Sequence, residues 1–189
     1  YMKSTVRKST FQAIYRLLDR VSPVPYDCGT LCGAACCTCD NCSDDKEFEM
    51  GIYLLPGEEK VFTGKEGWLT WSAENAEDYD FPESWFGKVH FVHCNVAPQC
   101  SRETRPLQCR FFPLTPHILE DGTLRLIYST AELPYKCPLI AERMPLSPSF
   151  IRANYTVWRH LLRDPLIYDL VLMDSEDREL EERPILFPD

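Results

Sequence analysis

The segment "DCGTLCGAACCTCDNC" places Cys28, Cys32, Cys36, Cys37, Cys39 and Cys42 in one short loop. Three chemistries compete for such a set: disulfide staples, a single reactive thiol, or metal ligands. A bridge between the adjacent Cys36 and Cys37 would close a strained ring, although pairing each with a distant partner stays open in an oxidising setting. A lone nucleophile has no need of five companions. Thiolates are soft ligands that favour zinc, copper(I) or iron–sulfur clusters over magnesium or calcium, so metal is the leading reading. The remaining cysteines are Cys94, Cys100, Cys109 and Cys137. Ten thiols would supply two four-coordinate zinc sites with two left over, or one cluster and one zinc.

The later segment "HCNVAPQCSRETRPLQCRFFPLTPH", set beside "CGTLCGAACC", resembles the CxxCxxCC or YkgJ-like family of zinc- or iron-chelating proteins. Such proteins pair an early cysteine run ending in a doublet with a later C…C…RPxxCRxFP block. The resemblance covers roughly residues 26 to 140, and "GIYLLPGEE" between the blocks belongs to it. It implies zinc or iron as cofactor, with an iron–sulfur cluster as one form. The ligands it implies are Cys28, Cys32, Cys36, Cys37, Cys94, Cys100 and Cys109, with Cys137 added downstream. The spacing C-x3-C-x3-CC is looser than the family's pattern, and Cys39 and Cys42 have no counterpart in it. A related cysteine block occurs in flagellin lysine N-methylases. The resemblance thus implies, as an alternative, an iron–sulfur enzyme component acting in protein modification or redox chemistry. No S-adenosylmethionine motif accompanies it.

Four thiolates around one zinc ion leave a charge of about −2 to be offset by cations or backbone N–H groups. Arg105 and Arg110 flank Cys109 and are the candidates for that role; the alternative is that both make surface ion pairs. His90, His93, His117 and His160 are the only histidines. His93 adjoins Cys94, but neighbours on a strand face opposite sides unless the strand has ended, so His93 and then His117 are lesser ligand candidates, while His90 and His160 read as structural. No Ser/His/Asp signature, phosphate-binding glycine loop or dinucleotide fingerprint is present. The "EE" and "ED" pairs read as solvated surface.

The elements that must position these residues follow from pattern. With 189 residues, 44% of them hydrophobic, the chain fits one α+β domain, rich in loops, with short antiparallel strands and a metal-stapled cysteine cluster. Phe11, Ile14, Tyr15 and Leu18 form a helical stripe, capped by Ser4 or Thr5 and stopped by "SPVP", giving an N-terminal helix within 1–21. A cysteine-rich metal-binding region spans 26–140. In it, "FEMGIYLLP" and "KVHFVHC" read as strands, "GEEKVFTG" as a helical turn, and "HILEDGTLRLIY" as a hairpin about Asp121-Gly122. C-terminal helices occupy 147–173: Ser147-Pro148 opens one with the stripe Ile151, Tyr155, Trp158 and Leu162, and Asp164-Pro165 opens another. An acidic tail, 174–189, reads as loosely held.

The net charge of −9 argues against a nucleic-acid partner, because phosphate demands a basic surface. The acidic stretches "SAENAEDYDFPES" and "DSEDRELEE" read as solvated surface. A third function class, a metal-stabilised module that binds a protein partner, would use that surface. No apolar run reaches the length of a membrane span, and the start lacks the apolar core of a signal peptide. The expected setting is cytoplasmic, where thiols stay reduced.

Overall fold

The computed structural model describes residues 3–38, 51–96, 99–100, 104–178 and 185–188. Helix α1 (Lys8–Leu18) buries the expected stripe, Phe11, Ile14, Tyr15 and Leu18. Its start corrects the expected cap. Arg7 occupies the N-cap position with no side-chain bond. Ser4 Oγ, Thr5 Oγ1 and the Thr5 N–H donate instead to Asp164 Oδ2, at 2.6–2.9 Å. Asp164 is 1% exposed, and its other oxygen accepts from Leu166 and Ile167 N–H. One buried carboxylate therefore fastens the chain's beginning to the helix that it caps.

After a 3-10 turn at Cys28–Leu31 comes the short α2 (Ala35–Thr38). Strands β1 (Ile52–Tyr53), β2 (Leu69–Asn75) and β3 (Lys88–Cys94) form an antiparallel sheet in the order β1-β3-β2. The expected strand "FEMGIYLLP" contracts to Ile52–Tyr53; residues 48–50 lie outside the described residues. The expected helical turn is present as Glu58–Val61. The reading of "SAENAEDYDFPES" as solvated surface holds for its carboxylates, of which Glu77, Asp78, Asp80 and Glu83 are exposed, but the stretch is not loose. Ser72 to Asn75 belong to β2, which pairs with β3 along its length, and Ala76 and Trp85 are buried. Strand β2 lies at the sheet edge with Glu74 half-buried, and the exposed carboxylates follow it.

Helix α3 (Leu107–Phe111) precedes the hairpin of β4 (Leu114–Ile118) and β5 (Leu124–Tyr128). Gly122 takes φ +81° in its turn, where Asp121 Oδ1 accepts from Thr123 N–H. Three more helices follow: α4 (Pro138–Ala141), α5 (Pro148–Leu161) and α6 (Pro165–Asp177). Ser147 is the N-cap of α5, though its side chain makes no capping bond. The buried face of α5 is Phe150, Ala153, Asn154, Val157, Trp158 and Leu161, so the expected stripe sits at the edge of the true one and shares only Trp158 with it. The described end of the tail is fastened rather than loose: Phe187 and Leu126 exchange both backbone bonds, at 2.7 and 2.8 Å, beside the Tyr128 ring.

One apolar core joins α1, α5, α6, the hairpin and the sheet, with Phe11, Leu107, Leu126, Leu161 and Ile167 wholly enclosed. Each such side chain contributes roughly 1.5–3 kcal/mol by leaving water. The fold is α+β with short antiparallel strands. Among the described residues no helix is long and apolar enough to cross a membrane.

Candidate metal centre

Two chain segments must meet if the early and late cysteines are to act together, and α3 is where they do. The backbone of α3 is held from below by Glu58, which is fully buried. Its Oε1 accepts from Leu107 N–H at 2.8 Å and from Tyr15 Oη at 2.6 Å, and Oε2 accepts from Leu55 N–H. Burial pushes the Glu58 carboxyl above its ordinary range, against the pull of those three donors and of Arg110. Burial, together with the Glu58 charge, pushes the Tyr15 hydroxyl up as well. The "EE" pair was expected on the solvated surface; Glu58 is instead a structural carboxylate at the start of the helix that carries Cys109. An apolar run ending in Pro56-Gly57 was the available signal, since it turns the next residue back toward the core.

Arg105 and Arg110 divide the work expected of both. Arg105 Nε donates to Cys100 Sγ at 3.1 Å. Burial works against the Arg105 charge, but Cys100, Cys37 and Cys109 outweigh it and hold the guanidinium charged. Arg110, expected beside the sulfurs, turns into the scaffold. Its Nε donates to Arg105 O, its Nη1 to Tyr15 O and to Asp19, and its guanidinium lies 4.3 Å from the Tyr15 ring centre. Arg110 thus holds the backbone of the residue that meets the thiols.

The eight described cysteines are all free thiols, and they influence one another across the two segments. Cys36 and Cys37 have their sulfurs 3.9 Å apart. The two share a proton across this contact: the bond to Cys36, and then Arg105, lower Cys37 to about 6. Its partner Cys36 is pushed up by that bond, by burial and by Cys37, Cys28 and Cys32. Cys109, crowded by protein atoms though its surface reaches solvent, is pushed up to about 12 by desolvation and then by Cys37 and Cys100. Cys94, at the end of β3, is raised by burial and by Cys100 and Cys37, while the Val96 N–H at its sulfur opposes the rise. Cys28 is raised by burial, Asp27, Cys137 and Cys32. Tyr135 is raised by burial and by Cys36, Cys137, Cys37 and Cys109.

The thiols therefore group as Cys37, Cys94, Cys100 and Cys109 on one side and Cys28, Cys32, Cys36 and Cys137 on the other, joined at the doublet. Cys39 and Cys42 lie outside the described residues. Among the described residues, no three of the His, Cys, Asp and Glu side chains stand in a geometry that would hold an ion. The donor set itself, thiols with a guanidinium on one sulfur and a backbone N–H on another, is chemically suited to a soft metal.

The histidines stay apart from this group. His117 is buried against Arg178, with burial and that charge pushing it down. On β3, His93 is exposed opposite Thr70, and His90 lies near the Trp71 ring. His160 is exposed on α5. Comparison with known proteins finds no matching family model, no matching curated protein and no matching solved structure.

Proposed function

We propose that this chain is a metal-chelating protein that binds zinc or iron, the latter also as an iron–sulfur cluster, through thiols drawn from residues 28–37 and 94–109 with Cys137. The single observation behind this reading is the mutual influence of Cys37, Cys94, Cys100 and Cys109, whose sequence positions span both segments. Left to themselves these thiols repel one another's ionisation, and a soft cation reverses that penalty. Arg105 on Cys100 and the Val96 N–H on Cys94 would offset the charge of the filled centre. A reducing, cytoplasmic setting suits a function that needs free thiols. The partner is the metal ion itself, with neither nucleic acid nor membrane required.

Elemental analysis of protein purified without oxygen tests the proposal. Stoichiometric zinc in a colourless sample supports closed structural sites; brown protein with iron and sulfide supports a cluster. Cys37→Ser or Cys109→Ser lowers the metal content; metal unchanged by both, or absent from the wild type, defeats the reading. The second reading, an iron–sulfur component of protein modification or redox chemistry, draws on eight described thiols exceeding one four-ligand site. A metal-stabilised protein-interaction module would use the acidic surface, and a pull-down returning no reproducible partner counts against it.

A further inference from the structure

Beside the thiols lies an open cleft of about 360 Å³, lined by Ser22, Pro25, Tyr26, Asp27 and Arg105. Its two charged groups have opposite sign, yet no salt bridge within 4.0 Å joins them. Each is oriented by its own bonds, Asp27 on the exposed side. Arg105 is held through Nε on Cys100 Sγ and through its carbonyl, which accepts from Arg110 Nε. Among the described residues its two Nη groups make no hydrogen bond. The Asp27 Oδ1 accepts from Gly29 N–H and caps the 3-10 turn at Cys28, which leaves Oδ2 without a hydrogen bond among the described residues. Ser22 Oγ donates to Val24 O and keeps its lone pairs for a further donor. The Tyr26 side chain, 46% exposed, and Pro25 supply apolar wall. A cation held through its Nε and an exposed anion oriented by the turn it caps, facing one cleft without touching, are complementary to a ligand that carries both charges.

We propose that this cleft binds an α-amino-carboxylate group, its carboxylate on the Arg105 guanidinium and its ammonium on Asp27, with a short aliphatic chain along Tyr26 and Pro25. Guanidinium takes a carboxylate through paired N–H donors, and Asp27 supplies the acceptor for an ammonium. A ligand with only one charge would leave one partner unanswered. The inference goes beyond the metal reading and does not depend on it, because the cleft is built by side chains already in place.

Calorimetric titration of the full chain tests it, with L-norvaline, pentanoate and butylamine as matched probes. Norvaline binds, and each singly charged analogue binds about tenfold more weakly or worse, the loss expected for one charged partner. Asp27→Asn keeps an oxygen for Gly29 N–H, so the turn survives, and it brings norvaline down to the affinity of pentanoate. S-methylglutathione, which carries the same group on a larger body, separates sources: tighter binding than norvaline identifies the end of a larger ligand, and weaker binding a free amino acid. Pentanoate as tight as norvaline, norvaline unaffected by Asp27→Asn, or no saturable binding overturns the proposal. Repeating the titration on chelator-stripped protein separates the two readings: norvaline binding retained in a chain that never holds metal sinks the metal proposal alone.

Discussion

Glu58 and Cys37 both act on α3, and they do so in opposite styles. Around Glu58 the donors and acceptors are matched: a buried carboxylate meets two backbone N–H groups and a tyrosine hydroxyl. Around Cys37 the thiols are gathered against one another, with Arg105 on Cys100 and the Val96 N–H on Cys94 as donors from outside the set. Cys28, Cys36, Cys94 and Cys109 are all pushed up, in part by neighbouring cysteines, whereas Cys37 is pushed down. Thiols set side by side raise the cost of ionising one another, and groups perturbed in this way gather at functional sites. The contrast separates a scaffold that sets position from a basin that awaits a partner.

The sharpest way to break this contrast is at Glu58. Removing the carboxylate in Glu58→Ala leaves Leu55 N–H, Leu107 N–H and Tyr15 Oη without their buried acceptor, and costs on the order of 3 kcal/mol in urea denaturation. The matching change in the basin, Cys109→Ser, shifts the stability of the metal-free chain by less than about 1 kcal/mol. Should the serine variant cost as much as Glu58→Ala without metal, the basin would be part of the scaffold after all.

That asymmetry also explains what the sequence could reveal. Periodicity exposed the face of α1 because Phe11, Ile14, Tyr15 and Leu18 are apolar at helical spacing, and Asp-Gly marked the hairpin turn, since both signals are local. Strand β2 stayed hidden because "SAEN" lacks apolar alternation, with Ser72 and Glu74 on its half-buried positions, and its pairing with β3 is long-range. Glu58 stayed hidden for the same reason: its partners Tyr15 and Leu107 lie 43 and 49 residues away. The cysteine blocks were visible as composition, whereas their grouping about the doublet depends on the fold. Asp27 and Arg105 carried no joint signal, being one charge each in separate segments that only the tertiary structure brings to one cleft.

A smaller effect sharpens the comparison at Arg110. Lysine retains the charge there but loses the fork that reaches Arg105 O, Tyr15 O and Asp19 together, as well as the stacking on Tyr15. Arg110→Lys therefore lowers stability by about 1–2 kcal/mol. Because Arg110 faces the scaffold and not the sulfurs, metal stoichiometry at low temperature stays that of the wild type. A loss of metal as large as that in Cys109→Ser would instead place Arg110 with the thiols.

The mildest effect lies in the pH dependence of the metal-free, reduced chain, and it isolates the doublet. Cys37 titrates at about 6, below the ordinary thiol value of about 8.5, so its contribution is complete above that ordinary value and is lost as pH falls through about 6. Cys36 is raised, so its contribution is complete below the ordinary value and is lost as pH climbs toward its folded one. Between the two limits the folded pair holds one proton where the unfolded chain holds two; above the ordinary value it still holds one where the unfolded chain holds none. The pair's contribution therefore peaks near the ordinary thiol value and declines on both sides. The urea midpoint, followed against pH in reductant and chelator, shows this peak in the wild type. Cys36→Ser keeps a hydroxyl donor for the Cys37 thiolate and so keeps the acid limb, whereas Cys37→Ser flattens both limbs. An identical profile in wild type and Cys37→Ser would mean that the two sulfurs share no proton.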